Sequence, residues 1–162
     1  MTDKQKEMDY LFFMFHDFEI TELTYNTAVL NMTIRIPWGQ LWNDHDYLIK
    51  LELTGCNEMN CVYSEFLNTV ENLATNFLSS EDKSTNDSKV ITYLGLEVQR
   101  HIFHPPNKYE LLCNSSKNQI YGGGHLTFTA ENYKLFNKEG IQVELQQMEK
   151  WFDEYWKEDE VT

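Results

Sequence analysis

Residues 28–36 (AVLNMTIRI) decide the fold. Ala28, Leu30, Met32, Ile34 and Ile36 alternate with Val29, Asn31, Thr33 and Arg35. Successive side chains of a strand point to opposite faces, so this spacing predicts a strand with one face in a core and one in water. Pro37 ends it, because proline cannot donate to a ladder. Downstream, Tyr47, Ile49, Leu51 and Leu53 alternate with Leu48, Lys50, Glu52 and Thr54, a second strand of the same kind. Gly55 and Asn57 mark a tight turn, and Met59, Cys61 and Tyr63 alternate after it. Glu58 to Tyr63 is therefore expected to pair back as a hairpin. Upstream, Phe18 to Tyr25 reads as the first strand and Asn26-Thr27 as a turn.

Outside this block the period changes. Met8, Leu11, Phe12 and Phe15 recur at spacings of three and four, which predicts a helix over 3–15, with His16-Asp17 as the junction to the first strand. Phe66, Val70, Leu73 and Phe77 predict a helix over 65–78. Residues 79–89 (SSEDKSTNDSK) hold no apolar side chain and read as a mobile surface loop. Val90 to Phe103 reads as containing a long strand, Tyr109 to Cys113 as a short one, and His104-Pro105-Pro106-Asn107 as the turn between them. Gly122-Gly123-Gly124 reads as a flexible turn before a strand through Leu126, Phe128 and Ala130, continued after a bend by Tyr133, Leu135 and Phe136. Asn137 to Gly140 is a turn, and Ile141 and Val143 begin a last short strand. Leu145, Met148, Phe152, Tyr155 and Trp156 make one face of a C-terminal helix. Strands come in runs joined by short turns, not in βαβ units. The expectation is one α+β domain over 1–162, a mainly antiparallel sheet of seven to eight strands with two or three packed helices.

Composition narrows the function classes. The 162 residues carry 26 acids against 13 Lys and Arg, a formal net charge of −13. Nucleic-acid binding needs cations to displace counterions from phosphates, so neither DNA nor RNA is an expected direct partner, and an anionic membrane is disfavoured likewise. Apolar residues at 41% exclude disorder. Cys56, Cys61 and Cys113 are an odd set without a CxxC pair, which gives neither a disulfide framework nor a zinc knuckle; reduced thiols suit the cytoplasm. The longest early apolar run, Tyr10 to Phe15, is too short to span a bilayer and follows acids where a secretory leader needs bases.

Few residues are arranged for chemistry. Asn43-Asp44-His45-Asp46 follows Trp38 and Trp42. It offers oxygen and imidazole ligands without the glycine of a calcium loop, and reads as a solvated loop between strands, with no metal expected. Trp38 and Trp42 beside Asp44 and Asp46 make good interface anchors, although core tryptophans explain them as well. His16-Asp17 are adjacent on an extended chain and point apart. His101 and His104 lack a third ligand. Gly122-Gly123-Gly124 lacks the Gly-Lys-Ser/Thr of a phosphate loop. No nucleophile elbow and no catalytic cysteine signature occurs, and no cofactor is implied. The C-terminal helix carries Glu149, Asp153, Glu154, Glu158, Asp159 and Glu160 opposite an aromatic stripe, Trp151, Phe152, Tyr155 and Trp156, that reads most simply as core; the acids toward the helix end oppose the macrodipole, which suggests a cationic partner for Glu154 and Glu158, although a solvated face explains them more simply.

Three stretches resemble a known group of proteins when taken together: His16-Asp17-Phe18-Glu19-Ile20 opening a strand, the strand and turn from Ile49 to Gly55, and the strand-to-helix ending from Gly140 to Trp156. The arrangement resembles small acidic bacterial domains of unknown function, some of them assigned as immunity proteins of polymorphic toxin systems. The resemblance implies a non-catalytic interaction protein that neutralises a basic partner, and it transfers no site residue. A small enzyme or ligand-binding domain with a pocket of Trp, Tyr and His, and a homo-oligomeric structural protein, are the competing expectations. The charge is uneven: −6 over residues 1–60, −2 over 61–124 and −5 over 125–162. A binding patch requires the two acidic ends to meet on one face.

Overall fold

The structure is a computed structural model that describes residues 1–36, 48–67, 79–117 and 120–161. Among these, three helices and ten strands follow in the order α1 (Asp3–Met14), β1 (Glu19–Asn26), β2 (Val29–Arg35), β3 (Leu48–Thr54), β4 (Met59–Leu67), β5 (Ser79–Thr85), α2 (Ser88–Leu94), β6 (Leu96–His104), β7 (Lys108–Ser115), β8 (Tyr121–Thr129), β9 (Asn132–Phe136), β10 (Gln142–Val143) and α3 (Leu145–Val161). All strand pairs are antiparallel, in the order β10-β9-β3-β2-β1-β6-β7-β8-β4-β5. This is the expected α+β architecture with more strands than the seven to eight that alternation suggests.

The sheet falls into two halves of five strands. Among the described residues their one registered pair is Glu19 with Glu97, supplemented by Val98 N–H donating to the Phe18 carbonyl at 2.7 Å. Beyond it β1 and β6 diverge and α2 fills the gap. The Thr92 hydroxyl accepts from Leu23 N–H at 3.0 Å and donates to the Leu23 carbonyl at 3.2 Å, satisfying backbone groups that an open edge would leave to water.

The alternation of residues 28–36 does what it implies: Leu30, Met32, Ile34 and Ile36 are fully buried. So are Leu51 of β3, Tyr109 and Leu111 of β7, and Leu126 of β8. One core therefore runs through both halves, and α1 lies on it with Met8, Leu11 and Phe12 at most 1% exposed. Burying each such side chain contributes roughly 1.5–3 kcal/mol. Thr2 starts α1 with a capping box, its side chain accepting from Gln5 N–H while the Gln5 side chain accepts from Thr2 N–H. Three contacts pin the helix to both halves: Gln5 to the Pro106 carbonyl, His101 to Asp9 at 2.9 Å, and the Tyr133 hydroxyl donating to Glu7 at 3.1 Å.

The β1–β2 hairpin turns on Thr27 and Ala28, with φ of 36° and 66°. Positive φ at both central residues is the type I′ geometry that matches strand twist and normally selects Asn-Gly. A Cβ in that region costs about 1 kcal/mol. Ala28→Gly is expected to stabilise the protein by about that much and to raise the thermal midpoint by about 2–4 °C; an unchanged or lowered midpoint in calorimetry would show the turn to be unstrained.

Several expectations need correction. β4 does not pair back on β3. After Gly55 (φ 71°) the chain crosses to the other half, because the second edge of β3 belongs to β9. The Thr129 hydroxyl accepts from Asn57 and Glu58 N–H at 2.9 and 3.2 Å and holds the crossing. Residues 65–67 extend β4 instead of opening a helix, and the remainder of the helix expected over 65–78 lies outside the described residues. Residues 79–85 form β5, an edge strand paired with β4. Its side chains bond across the ladder, Ser64 to Asp82 and Ser84 to Asn60, each at 2.9 Å. An edge strand of charged and hydroxyl residues is protected from foreign pairing, and it carries no apolar alternation to read. Residues 88–94 are helical because Asp87 caps the start, accepting from Lys89 N–H, and Gly95 ends it in the left-handed conformation at φ 59°. Gly122, Gly123 and Gly124 lie inside β8, not in a turn.

Candidate functional site

The N-terminal and C-terminal helices pack side by side. The rings of Phe13 and Phe152 meet edge-on at 6.5 Å. Tyr10 stacks on Phe13 at 6.2 Å, Phe152 meets Trp156 edge-on at 6.0 Å, and Trp156 lies 5.4 Å from Tyr155 and 5.9 Å from His16. This ladder of rings is continuous across both helices, yet Phe13 is 57% exposed, Trp156 38% and Tyr10 37%. Helical spacing explains it. Met8, Leu11 and Phe12 turn inward, while Tyr10 and Phe13, three apart, turn toward α3. Large apolar rings left in water on one face are what interaction surfaces present.

Carboxylates from both ends surround the ladder. Burial and the negative charges of Glu149 and Asp153 push the Tyr10 hydroxyl above its ordinary value. Tyr133 is pushed further in the same direction, by burial, by its hydrogen bond to Glu7 and by the charges of Glu7, Glu144 and Glu149. Lys4 pairs with Glu7 at 2.8 Å and holds that carboxyl below its ordinary range. α1 and α3 thus bring the acidic ends together around Tyr10 and Tyr133, as a binding patch requires. Glu154 is an exposed residue of α3. The side chain of Glu158 lies outside what is described, as do Trp38, Trp42, Asp44 and Asp46.

The histidines separate. His101 points inward, bonded to Asp9 and 5.9 Å from the Phe12 ring. His104 points to the outer face of the same strand, so the two do not act together. His104 Nε2 donates to Glu110 at 2.9 Å, and His125 Nδ1 donates to the other oxygen of the same carboxylate. These two bonds hold the Glu110 carboxyl below its ordinary value, 4.5. A lowered carboxyl contributes stability that is present above that value and lost as pH falls through the folded one. Glu110→Gln is therefore expected to cost about 1 kcal/mol at neutral pH. Denaturation curves of variant and parent should converge in strong acid; a constant difference across pH would remove the carboxylate from the explanation. His16 and Asp17 do make a contact, at 3.2 Å, because Asp17 adopts a φ of 60° and the chain there is not extended.

Among the described residues no three His, Cys, Asp or Glu side chains converge to hold a metal ion. All three cysteines are buried and reduced, and burial pushes their thiols up, Cys56 to about 11 and Cys61 and Cys113 to about 12, so none is a ready nucleophile. No helix of the described residues is long and apolar enough to cross a membrane. No protein family, curated protein or solved structure matches the chain.

Proposed function

We propose that this chain is a non-catalytic interaction protein that neutralises a basic protein partner, as an immunity protein would, from the cytoplasm. The observation that carries the reading is the α1–α3 face, where the exposed rings of Tyr10, Phe13 and Trp156, linked through the half-buried Phe152, are edged by Glu149 and Asp153. Aromatic rings ringed by charge are the usual anchors of tight interfaces. Carboxylates at the rim accelerate encounter with a cationic surface, and the rings take up lysine and arginine side chains by cation–π contact. An acidic cover over a cationic active site would inhibit it without any chemistry.

The test is capture of the products of adjacent reading frames by the whole protein, followed by affinity measurement. A cationic protein should be retained, and its affinity should fall steeply with salt. Trp156→Ala should cost about 2 kcal/mol, roughly thirtyfold in Kd, and Asp153→Lys should slow association. A partner whose binding ignores both substitutions and salt would defeat the proposal.

A further inference from the structure

The outer face of β6, β7 and β8, turned away from α1, reverses the sign of the chain's net charge. Tyr109 and Leu111 of β7 and Leu126 and Phe128 of β8 are buried, so the residues between them face outward. The register sets Arg100 opposite Leu112, Leu112 opposite His125, and His104 opposite Lys108. Arg100, His104, Lys108 and His125 therefore share this face, all of them exposed, and Glu110 is the one carboxylate within residues 100–104, 108–112 and 125–129. It lies between the two imidazoles and accepts from both. Neither Arg100 nor Lys108 enters an ion pair among the described residues. With neutral imidazoles Arg100 and Lys108 against Glu110 leave +1, and with both imidazoles protonated the face carries +3, in a chain of −13. Beside the cluster β4 presents Val62, 37% exposed, and Asn60. The flanking carboxylates are Asp82 of β5, which is bonded to Ser64, and Glu58 before β4. A shallow hollow lies over Val62, His104, Lys108, Glu110 and His125.

A cationic face with an open hollow is complementary to the α1–α3 face, where the exposed rings of Phe13 and Trp156 stand beside Glu149, Asp153 and Glu154. One face is on the helix layer and the other on bare strands across the sheet, so they cannot meet within one molecule. We propose that the outer face of β6–β8 binds the α1–α3 face of a second copy of this chain, and that protonation of His104 and His125 strengthens the contact. An exposed ring of one copy enters the hollow of the next, and Arg100, Lys108 and the imidazolium groups meet its carboxylates. Histidine ordinarily titrates between about pH 5 and 8 and carboxylates near about pH 4, so around pH 5.5 the cationic face gains charge while the acidic face keeps its own. The contact is heterologous. Each copy retains a free face of each kind, and association grows with concentration instead of closing as a symmetric pair. The contact uses the face assigned above to the basic partner and rests on that reading; a bound partner and a neighbouring copy exclude each other.

Analytical ultracentrifugation of the whole protein over a range of concentrations tests it. The association constant should fall at least about tenfold between about pH 5.5 and about pH 7.5, and association should fade in about 0.5 M salt. Arg100→Glu with Lys108→Glu reverses the outer face, and Asp153→Lys with Glu154→Lys reverses the acidic one. All four positions are exposed, so circular dichroism should be unchanged. Each double variant alone should stay monomeric at the acid pH. An equimolar mixture should form a one-to-one dimer that grows no further, because only one intact face of each kind remains. His104→Gln with His125→Gln should remove the pH dependence. A mixture that stays monomeric, a charge-reversed variant that still associates alone as the parent does, or a pH dependence that survives loss of both imidazoles would overturn the inference. The Arg100→Glu, Lys108→Glu protein keeps the α1–α3 face intact, so its binding of an arginine-rich peptide separates the two proposals. If it binds the peptide but not the Asp153→Lys, Glu154→Lys protein, the self-association alone fails; if it binds neither, the reading of the α1–α3 face fails as well.

Discussion

Gly124→Ala is expected to destabilise the protein by more than about 4 kcal/mol, beyond the range of ordinary point substitutions. Gly124 lies in β8, between β7 and β4. A Cβ built on it would overlap the Val62 carbonyl oxygen, and one on Gly123 would overlap that of Cys113. The obstacles are backbone atoms of paired strands, so they cannot swing aside as a side chain would. Gly123 is the residue left over where the β4–β8 register shifts, from Tyr63 opposite Gly124 to Ser64 opposite Gly122. The glycine requirement here is one of space. Gly140 provides the contrast: its φ is 81° but nothing stands within 4 Å of a Cβ. Gly140→Ala should cost only about 1 kcal/mol. Urea denaturation of the two variants reads the difference directly, and comparable losses would mean that β8 is not clamped between its neighbours.

Phe12→Ala is expected to cost about 3–5 kcal/mol, the range for removing a buried aromatic ring. Its ring is 1% exposed and sits 6.3 Å from Phe18, 5.7 Å from Tyr109 and 6.1 Å from Phe128, on three different parts of the sheet system. The cavity left behind could not collapse without moving α1 away from Tyr109 and Phe128. A loss below about 1 kcal/mol in equilibrium denaturation would show α1 to be peripheral to the core, and with it the face it builds with α3.

The fold was legible wherever one face of an element meets the core and the other meets water. Residues 28–36, 48–54 and the two terminal helices satisfy that condition, and their spacing identifies them. β5 does not, because its pairing is made by backbone and by hydroxyl and charged side chains, with no apolar face to leave a period. The segment 88–94 misled for the opposite reason: Val90, Thr92 and Leu94 mimic strand alternation, while the caps Asp87 and Gly95 determine a helix. The β3–β4 crossing was invisible because it depends on which strand occupies the far edge of β3, a matter of long-range pairing. The site was half legible. The sequence places aromatic rings and acids on the C-terminal helix and an acidic excess at both ends. That Tyr10 and Phe13 of the first helix complete the ladder follows only from the packing of α1 on α3.

The proposed function requires the α1–α3 face to be the surface that receives cations. Titration of the isotope-labelled protein with an arginine-rich peptide, followed by amide and aromatic chemical shifts, tests this residue by residue. The largest changes are expected to cluster on Tyr10, Phe13, Glu149, Asp153 and Trp156 and to fade as salt is raised. Changes of similar size spread over all acidic residues, or centred on Glu19, Glu22 and Glu52 of the β1–β3 sheet, would contradict it.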